Sequence, residues 1–353
     1  MLPTTNGPEG LLPIPSRGLL AVSSEEDDAA AGVRASVSLF RLGKGRAAAR
    51  FPGIVSATDA TGAPIGWGAL GALSAVPGRP HHLYTVTDAA YSPTRILTVD
   101  TTRRPALITR ALTVKDASGQ PVGYDAEGIA ARPRGGGYWL AVEGKTGAGN
   151  QLVRLDRDGV TRQTVPLPAD IAANLGGQGF EGVTATTDAR GREIVWATLQ
   201  RPAANDPAGV VRIGRYDVAS GTWSWYGYRL ETTSTPGDWI GLSEITVVGD
   251  RLAVIERDKL NGPAARVKRV YTVALPTSAA APGTLPVLPK RLAYDVLPEL
   301  RATHGWTQEK LEGLAVAGNG EVYAVTDNDA LDDATGETVF LDLGSSRKVF
   351  RRE

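Results

Sequence analysis

The feature that most constrains the fold of this chain is a hairpin pattern that recurs along it. In residues 310–329, KLEGLAVAGNGEVYAVTDND, two apolar runs flank a Gly-Asn-Gly-Glu turn, and β-branched and aromatic residues fill the second run. Reversal of the chain at the turn brings the start of the first strand beside the end of the second. We therefore expect Glu312 and Asp327 to lie at the same edge of a sheet.

Five further segments repeat this pattern. Their cores are EGLLPIPSRGLLAVSSE, GALSAVPGRPHHLYTVTD, EGIAARPRGGGYWLAVE, EGVTATTDARGREIVWATLQ and EITVVGDRLAVIE. The residues at the starts of the six hairpins are Glu9, Gly71, Glu127, Glu181, Glu244 and Glu312. Those at the ends are Ser24 or Glu25, Asp88, Glu143, Gln200, Glu256 and Asp327. Acids therefore recur at one end of the hairpins.

A third strand-like segment follows each hairpin, often with a more variable fourth. Four antiparallel strands per unit are typical of a propeller blade, and units about 55 to 65 residues long fit that architecture. We predict an all-β fold, a single six-bladed β-propeller with four-stranded antiparallel blades, as one domain over residues 1–353. The alternative is a right-handed parallel β-helix, but its coils are shorter and more regular.

The composition supports many short strands and limits the classes of partner. The chain has 42 glycines and 23 prolines, and 38 Lys plus Arg balance 38 Asp plus Glu. Without a net positive charge we expect no nucleic-acid and no membrane partner, and we expect a monomer. The absence of cysteine excludes thiolate metal sites, disulfides and cysteine nucleophiles.

The repeated acids predict a metal site. The first strand of each propeller blade lines the central channel, so residues at the strand starts gather at one mouth of that channel. Carboxylates 5 to 8 Å apart repel by roughly 2 to 3 kcal/mol per pair at an effective dielectric near 20. Ca²⁺, which accepts six to eight oxygens, is the predicted cofactor, because zinc prefers nitrogen or sulfur. The predicted ligands are Glu9, Asp88, Glu127, Glu143, Glu181, Glu244, Glu256, Glu312 and Asp327.

Two alternatives to a metal site stay open at this point. Basic residues adjacent to the acids could neutralise the ring through ion pairs; these are Lys145, Arg201, Arg257, Lys259 and Lys310. The glycine of Glu-Gly could also simply allow a turn into the first strand, with the glutamate capping backbone amides.

The phrases DAEGIA, GFEGVT and LEGLAV, the last followed by VYAVTDND, resemble the phytase-like family of β-propellers, described as having esterase-like activity of phytase. The resemblance spans nearly the whole chain. It implies a propeller, export, and calcium-dependent hydrolysis of a small-molecule phosphoester or ester. The motif glutamates Glu127, Glu181 and Glu312 carry over directly, whereas Glu244 sits in Ser-Glu-Ile and Gly71 lacks the acid. We expect a secreted or periplasmic protein whose export signal is not part of this sequence.

The candidate base for such a hydrolase is His304, eight residues before Glu312 in the segment that enters the acid-bearing end. It could equally be an exposed loop histidine. Trp67, Trp239 and Trp306 also precede ring positions and could wall a pocket. The chain has no Gly-x-Ser-x-Gly elbow, and its scattered cations do not form a cradle for phytate. The rival function is a non-catalytic, metal-stabilised propeller that binds a protein or glycan partner.

Overall fold

The structure, a computed structural model, describes residues 3–27, 29, 33–41, 43, 51–328 and 337–351. It confirms the all-β prediction, because these residues form six sheets and only short helical turns. The helices of the described ranges are α1 (Ala169–Ala172), α2 (Leu297–Arg301) and α3 (Ser346–Val349). No helix in these ranges is long and apolar enough to cross a membrane.

Three of the six sheets have the four antiparallel strands that the repeat predicts. The first contains β9 (Ala126–Ala131), β10 (Tyr138–Val142), β11 (Gln151–Leu155) and β12 (Thr161–Pro166). The second contains β13 (Phe180–Thr187), β14 (Glu193–Leu199), β15 (Val210–Asp217) and β16 (Thr222–Arg229). The third contains β17 (Ile240–Val248), β18 (Arg251–Asp258), β19 (Lys268–Ala274) and β20 (Lys290–Asp295). Each is a simple meander in chain order.

The remaining three sheets depart from four strands. One contains β1 (Pro8–Ile14), β2 (Leu19–Ser24) and β3 (Ser36–Arg41). Another contains β5 (Leu70–Ala75), β6 (His82–Thr87), β7 (Arg95–Asp100) and β8 (Ala106–Thr113), and β4 (Ile54–Ser56) adds to β8 in parallel. The last contains β21 (Leu311–Val316), β22 (Glu321–Thr326) and β23 (Phe340–Ser345).

The innermost strands of five sheets contact one another in a closed order. Strand β5 contacts β9, and the contacts continue through β13, β17 and β21 back to β5. This arrangement is that of propeller blades around one axis. The contact between β21 and β5 closes the order without β1, so the structure does not confirm a ring of six blades. Local strand patterns predict a blade, whereas the number of blades depends on a contact between distant segments.

A β-bulge shapes the start of every innermost strand. The hairpin register shifts at Gly71 in β5, Glu127 in β9 and Glu312 in β21, and across Glu181 and Gly182 in β13. A bulge leaves one residue out of the ladder and re-aims its side chain. The recurring glutamates therefore point away from their own sheets because they occupy bulges.

The glycine after each bulged glutamate permits close approach of the neighbouring blade, and not merely a turn into the strand. A Cβ atom on Gly128 would lie 2.5 Å from the carbonyl oxygen of Glu181, and one on Gly182 would lie 2.4 Å from the amide nitrogen of Ile245. Any side chain at these positions would push adjacent innermost strands apart. In the Glu-Gly pair, the glutamate thus points away from its own sheet, and the glycine lets the backbone of the next blade approach closely.

Apolar side chains between the sheets hold this arrangement together. The largest cluster spans the blades β9–β12, β13–β16 and β17–β20, and at its centre Trp139 and Trp196 are fully buried. Their rings pack edge to face or tilted against Tyr216 and Tyr226, geometries that stabilise aromatic pairs. This packing fixes the blades that carry Glu127, Glu143 and Glu181.

Candidate functional site

Carboxylates from different blades converge where the innermost strands begin. One oxygen each of Glu127, Glu181 and Glu312 lies within 4.8 Å of the other two, and the same holds for Asp125, Glu127 and Glu143. Glu127 belongs to both groups. We call the wider set of acids around these triads and their cations the carboxylate cluster; its members are Asp88, Asp125, Glu127, Glu143, Glu181, Glu309, Glu312 and Asp327.

Hydrogen bonds from the strand ends hold these carboxylates in place. The side-chain amide of Gln200, at the end of β14, donates to Oε1 of Glu181. The backbone amide of Gly179 donates to Oε1 of Glu143, and the backbone amide of Ala90 donates to Oδ1 of Asp88 at 2.7 Å. Each acid is therefore oriented by its own or an adjacent blade.

Two cations pair with the cluster. Arg257 is buried and donates from Nη2 to Oε1 of Glu312 at 2.9 Å and from Nη1 to Oε1 of Glu309 at 3.2 Å. The ammonium of Lys310 lies 3.6 Å from Oδ2 of Asp327. The ion-pair alternative is thus realised in part, but eight carboxylates share these two partners.

Burial and mutual repulsion raise the pKa values of several cluster acids. Burial raises the pKa of Asp88 to about 6 and that of Glu143 to about 7, although hydrogen bonds from Ala90 and Gly179 oppose the shifts. The pKa values of Glu127 and Glu181 lie well above their usual range, first because of burial and then because of neighbouring glutamates. Without a cation, the cluster holds protons that free carboxyl groups would release.

We expect the stability of the metal-free protein to fall as the pH rises from about 5 to about 7. A group whose pKa is raised by folding binds more protons in the native state, so raising the pH through its window favours unfolding. The pKa values of Asp88 and Glu143 in the folded protein, about 6 and about 7, set the upper end of the pH range over which stability falls. Acids whose pKa is lowered, such as Asp116 and Asp188, titrate below it.

Denaturant midpoints of metal-free protein across this range check the prediction. Asp88→Asn keeps the acceptor for the Ala90 amide and removes one titrating group, so its midpoint should vary less with pH than that of the wild type. A wild-type midpoint that rises from pH 5 to pH 7 contradicts the expectation.

Two predicted ligands have both carboxylate oxygens engaged by hydrogen bonds from other groups. In β17 the bulge falls at Ser243, so Glu244 takes the position that glycine has in the other strands. Its two oxygens accept hydrogen bonds from the backbone amides of Ile245 and Leu73, which ties β17 to β5. The predicted acid Glu244 thus lies one residue beyond the bulge, where its oxygens bind backbone amides. Ser243 is the ring position, and it accepts a hydrogen bond from Nε of Arg257.

Glu256 faces the opposite way from Arg257 along β18. It is fully buried, and its oxygens accept hydrogen bonds from the hydroxyl of Tyr228, the backbone amide of Glu231 and the ammonium of Lys290. Through these partners Glu256 joins two blades. The sequence pattern does not show whether Glu256 or Arg257 faces the cluster, because the alternation of a strand does not tell which of its two faces points to the channel.

Glu9 and His304 have no contact with the cluster. Glu9 occupies a bulge in β1, but it is exposed and β1 lies outside the closed order of innermost strands. His304 is exposed in the segment after α2 with a φ of 59°. Within the described ranges its ring makes no hydrogen bond or ion pair, so nothing orients it as a base.

Several side chains of the site were not among the predicted ligands. Asp125 lies two residues before Glu127, and this spacing along an extended segment was a usable signal. Gln200 ends its hairpin where other repeats end in an acid, so the pattern marks its position but not its role. The pairing of Arg257 with Glu309 and Glu312 joins different blades and has no local signature.

The cluster fits a hard divalent cation. An ion about 2.3 to 2.6 Å from two oxygens requires those oxygens to lie no more than about 5 Å apart, and both acidic triads meet this condition. Oε2 of Glu312 is buried and accepts no hydrogen bond from the described residues. The donor set consists of carboxylate oxygens, which suit calcium or magnesium better than zinc.

A large cavity lies elsewhere in the described structure. It encloses about 740 Å³ along β23 and is lined by residues that include Arg104, Tyr323 and Phe340, with no member of the carboxylate cluster. Its size alone therefore does not mark it as the functional site.

Comparisons with known proteins show a family. A family model described as phytase-like, esterase-like activity of phytase, matches residues 65–330. No similar sequence was found among the curated proteins. Similar solved structures were also found. They include hydrazine synthase of Kuenenia stuttgartiensis, a luciferin-regenerating enzyme and the sialidase of Trypanosoma rangeli.

These structural likenesses are distant. Identity is 14% for hydrazine synthase over 97% of both chains, and the TM-score is 0.41. It is 12% for the luciferin-regenerating enzyme over 98% of this chain and 94% of that one, with a TM-score of 0.38. For the sialidase it is 11% over 82% and 50%, again with a TM-score of 0.38. At these values the likenesses carry no argument about activity.

Proposed function

The chain belongs to the phytase-like family, and on that premise we propose that it is a calcium-dependent hydrolase of small-molecule phosphoesters or esters, acting at the carboxylate cluster. The observation that carries the proposal is the pair of acidic triads that share Glu127. Oε2 of Glu312 is buried and has no hydrogen-bond partner in the described residues, which supports its use as a ligand for the cation.

The residues that would hold the cation are Glu127, Glu181 and Glu312, with Asp125 and Glu143 on the other side of Glu127. A bound divalent cation polarises a phosphoryl or carbonyl oxygen and lowers the pKa of a water molecule. In the overall reaction, water supplies a hydroxyl to the phosphorus or carbonyl carbon, and the departing alcohol takes a proton. No further cofactor is required.

The chain's own residues preorganise this site. Gln200 donates a hydrogen bond to one oxygen of Glu181. Arg257 donates to Oε1 of Glu312, whereas Oε2 of Glu312 has no hydrogen-bond partner among the described residues. Because these partners hold the carboxylates before any ligand arrives, little reorganisation is needed on binding. Preorganised charges of this kind stabilise a transition state more effectively than mobile ones.

A non-catalytic propeller that binds a protein or glycan partner is the second candidate. The observation that favours it is the exposed position of His304, whose ring contacts no cluster residue in the described structure. Under this candidate the cation only neutralises the acids and fixes the blades.

Hydrolysis assays with matched substrates test the proposal. We expect turnover of at least one class among aryl phosphates, phosphodiesters, aryl esters and lactones in calcium, and loss of that turnover in chelator. Glu127→Gln should lower the calcium-dependent rate at least tenfold, because both triads lose a charged ligand. Glu321→Gln, at the far end of a hairpin, is the control and should leave the rate unchanged. Absence of turnover on the whole panel, with calcium bound, favours the non-catalytic candidate.

A further inference from the structure

Four buried polar side chains lie on one face of the blade β13–β16. They are Trp196, Thr198, Arg215 and Ser224. In the strand register Trp196 and Ser224 lie directly opposite Arg215, one on each side, and Thr198 lies two residues along β14 from Trp196. Each has a buried polar atom without a hydrogen-bond partner among the described residues: Nε1 of Trp196, Oγ1 of Thr198, Nε of Arg215 and Oγ of Ser224. Buried polar groups are normally paired, so four unpaired ones on one face point to a ligand.

Arg215 brings a positive charge to this face. Only 5% of the residue is exposed, and Cζ lies 6.0 Å from the centre of the Trp196 ring. In the part of the chain that the structure describes, Arg215 makes no hydrogen bond and no ion pair. A buried charge is strongly unfavourable unless an opposite charge and hydrogen bonds compensate it. The guanidinium therefore needs a negative partner.

The acids that face the same interface between blades are engaged by other groups. Asp217, on the same face as Arg215, accepts hydrogen bonds from two backbone amides and pairs with Arg192 at 3.3 Å. Glu256, on the facing strand β18, is held by the three partners described above. Neither acid forms an ion pair with Arg215 within the described residues, so the negative partner is not one of these side chains.

The space beside Arg215 is enclosed between two blades. The facing blade β17–β20 contributes apolar side chains such as Ile245 to the shared hydrophobic cluster. At the outer edge of the face, the hydroxyl of Tyr226 donates to the carbonyl oxygen of Ser278, and the amide of Leu288 donates to the carbonyl oxygen of Gly227 at 2.8 Å. The segment between β19 and β20 thus covers this edge. An enclosed, mainly apolar setting favours a small monovalent ion over a multiply charged one, because burial costs increase with charge.

The unpaired groups have one chemical property in common, since each can donate a hydrogen bond. A guanidinium and an indole only donate, and the hydroxyls of Ser224 and Thr198 can donate as well. Their ligand must therefore accept hydrogen bonds from several directions and carry a negative charge. A spherical halide does both, whereas a planar carboxylate suits the flat fork of a guanidinium alone. Water accepts hydrogen bonds too, but it leaves the charge of Arg215 unbalanced.

We propose that Arg215, Trp196 and Ser224 bind a chloride ion between the blades β13–β16 and β17–β20, with Thr198 as a further donor. The ion balances the guanidinium charge and accepts the unpaired donors, so it stabilises the folded protein. This site does not depend on the proposed hydrolase activity, and its test requires neither a substrate nor calcium.

Unfolding midpoints in chelator test the site when sodium chloride replaces sodium gluconate, a bulky anion, at constant ionic strength. The wild-type midpoint should rise with chloride and then saturate, because a ligand that binds only the native state stabilises it. Bromide should act in the same way. Arg215→Met keeps the apolar stem and removes the charge, so it should lose this rise. Arg190→Met, exposed in the turn between β13 and β14, is the matched control and should keep the rise.

Ser224→Ala provides a second, milder variant that keeps the charge of Arg215. It should increase the chloride concentration at half of the rise by about threefold to tenfold, the effect of losing one hydrogen bond. This variant decides the test even where Arg215→Met does not fold. Broadening of the chlorine NMR line reports binding without unfolding; the wild type and Arg190→Met should broaden the line, and Arg215→Met should not.

Three results would overturn the proposal. The first is a wild-type midpoint that is the same in chloride and in gluconate. The second is an equal rise in the wild type and Arg215→Met, together with an unchanged half-effect concentration for Ser224→Ala. The third is a rise that depends on Arg215 and occurs with phosphate but not with chloride, which would assign an oxyanion to the site instead of a halide.

Discussion

Replacing Gly182 with alanine is expected to destabilise the protein by about 3 kcal/mol, the upper range for overpacking a well-packed interior. The added Cβ would lie 2.4 Å from the amide nitrogen of Ile245 and 2.5 Å from Cα of Glu244. Both atoms belong to the backbone of β17, which cannot move aside as a flexible side chain can. The blades β13–β16 and β17–β20 would have to separate where the acids meet.

Gly176→Ala is the matched control for this change. Gly176 is exposed and has no positive φ, and a Cβ atom added there would meet no heavy atom within 4 Å. Alanine at this position should be neutral or stabilise by up to about 1 kcal/mol, because it restricts the unfolded chain. Denaturant midpoints compare the two variants. If Gly182→Ala unfolds at the same midpoint as Gly176→Ala, close blade contact does not explain the Glu-Gly repeat.

The hairpins and the inward acids could be predicted because their causes are local. Alternating apolar residues and turn glycines define each hairpin, and the repeated Glu-Gly pair marks Glu127, Glu181 and Glu312 as equivalent. In β17 the Ser-Glu pair offers two polar residues, and only the register shows that the bulge falls on Ser243 and not on Glu244.

The arrangement of blades and the charge pairing could not be predicted in the same way. Both depend on contacts between segments far apart in the chain, such as the approach of β21 to β5 and the bond from Arg257 to Glu312. The sequence places several cations near the acids, but it does not distinguish Arg257, which pairs with them, from Arg201, which stacks on Trp239.

Glu181→Gln and Glu312→Gln should respond differently to calcium, although the sequence pattern treats these positions alike. Glu181 has no ion pair within the described residues, and a glutamine there can still accept the hydrogen bond from Gln200. In chelator the change removes an acid whose ionisation burial and the neighbouring glutamates oppose, so it should be neutral or stabilise by up to about 1 kcal/mol. Glu312→Gln weakens a charge-assisted bond to Arg257 and should destabilise by about 1 to 3 kcal/mol in either condition.

Calcium should reverse the effect at Glu181. A ligand that binds only the native state stabilises it by about 2.7 kcal/mol at a hundredfold excess over its Kd. Glu181→Gln removes one of the proposed ligands, so most of this gain should be lost and the variant should become less stable than the wild type. Glu321→Gln, near the opposite end of the β21–β22 hairpin from Glu312, should keep the full gain.

The most direct test of a calcium-binding cluster is the denaturant midpoint of Glu181→Gln relative to the wild type, measured in chelator and in excess calcium. If the cluster binds calcium, the midpoint of the variant is equal to or above that of the wild type in chelator and clearly below it in calcium. Equal destabilisation in both conditions, or a wild-type midpoint that calcium does not raise, would contradict calcium binding and assign these acids a purely structural role.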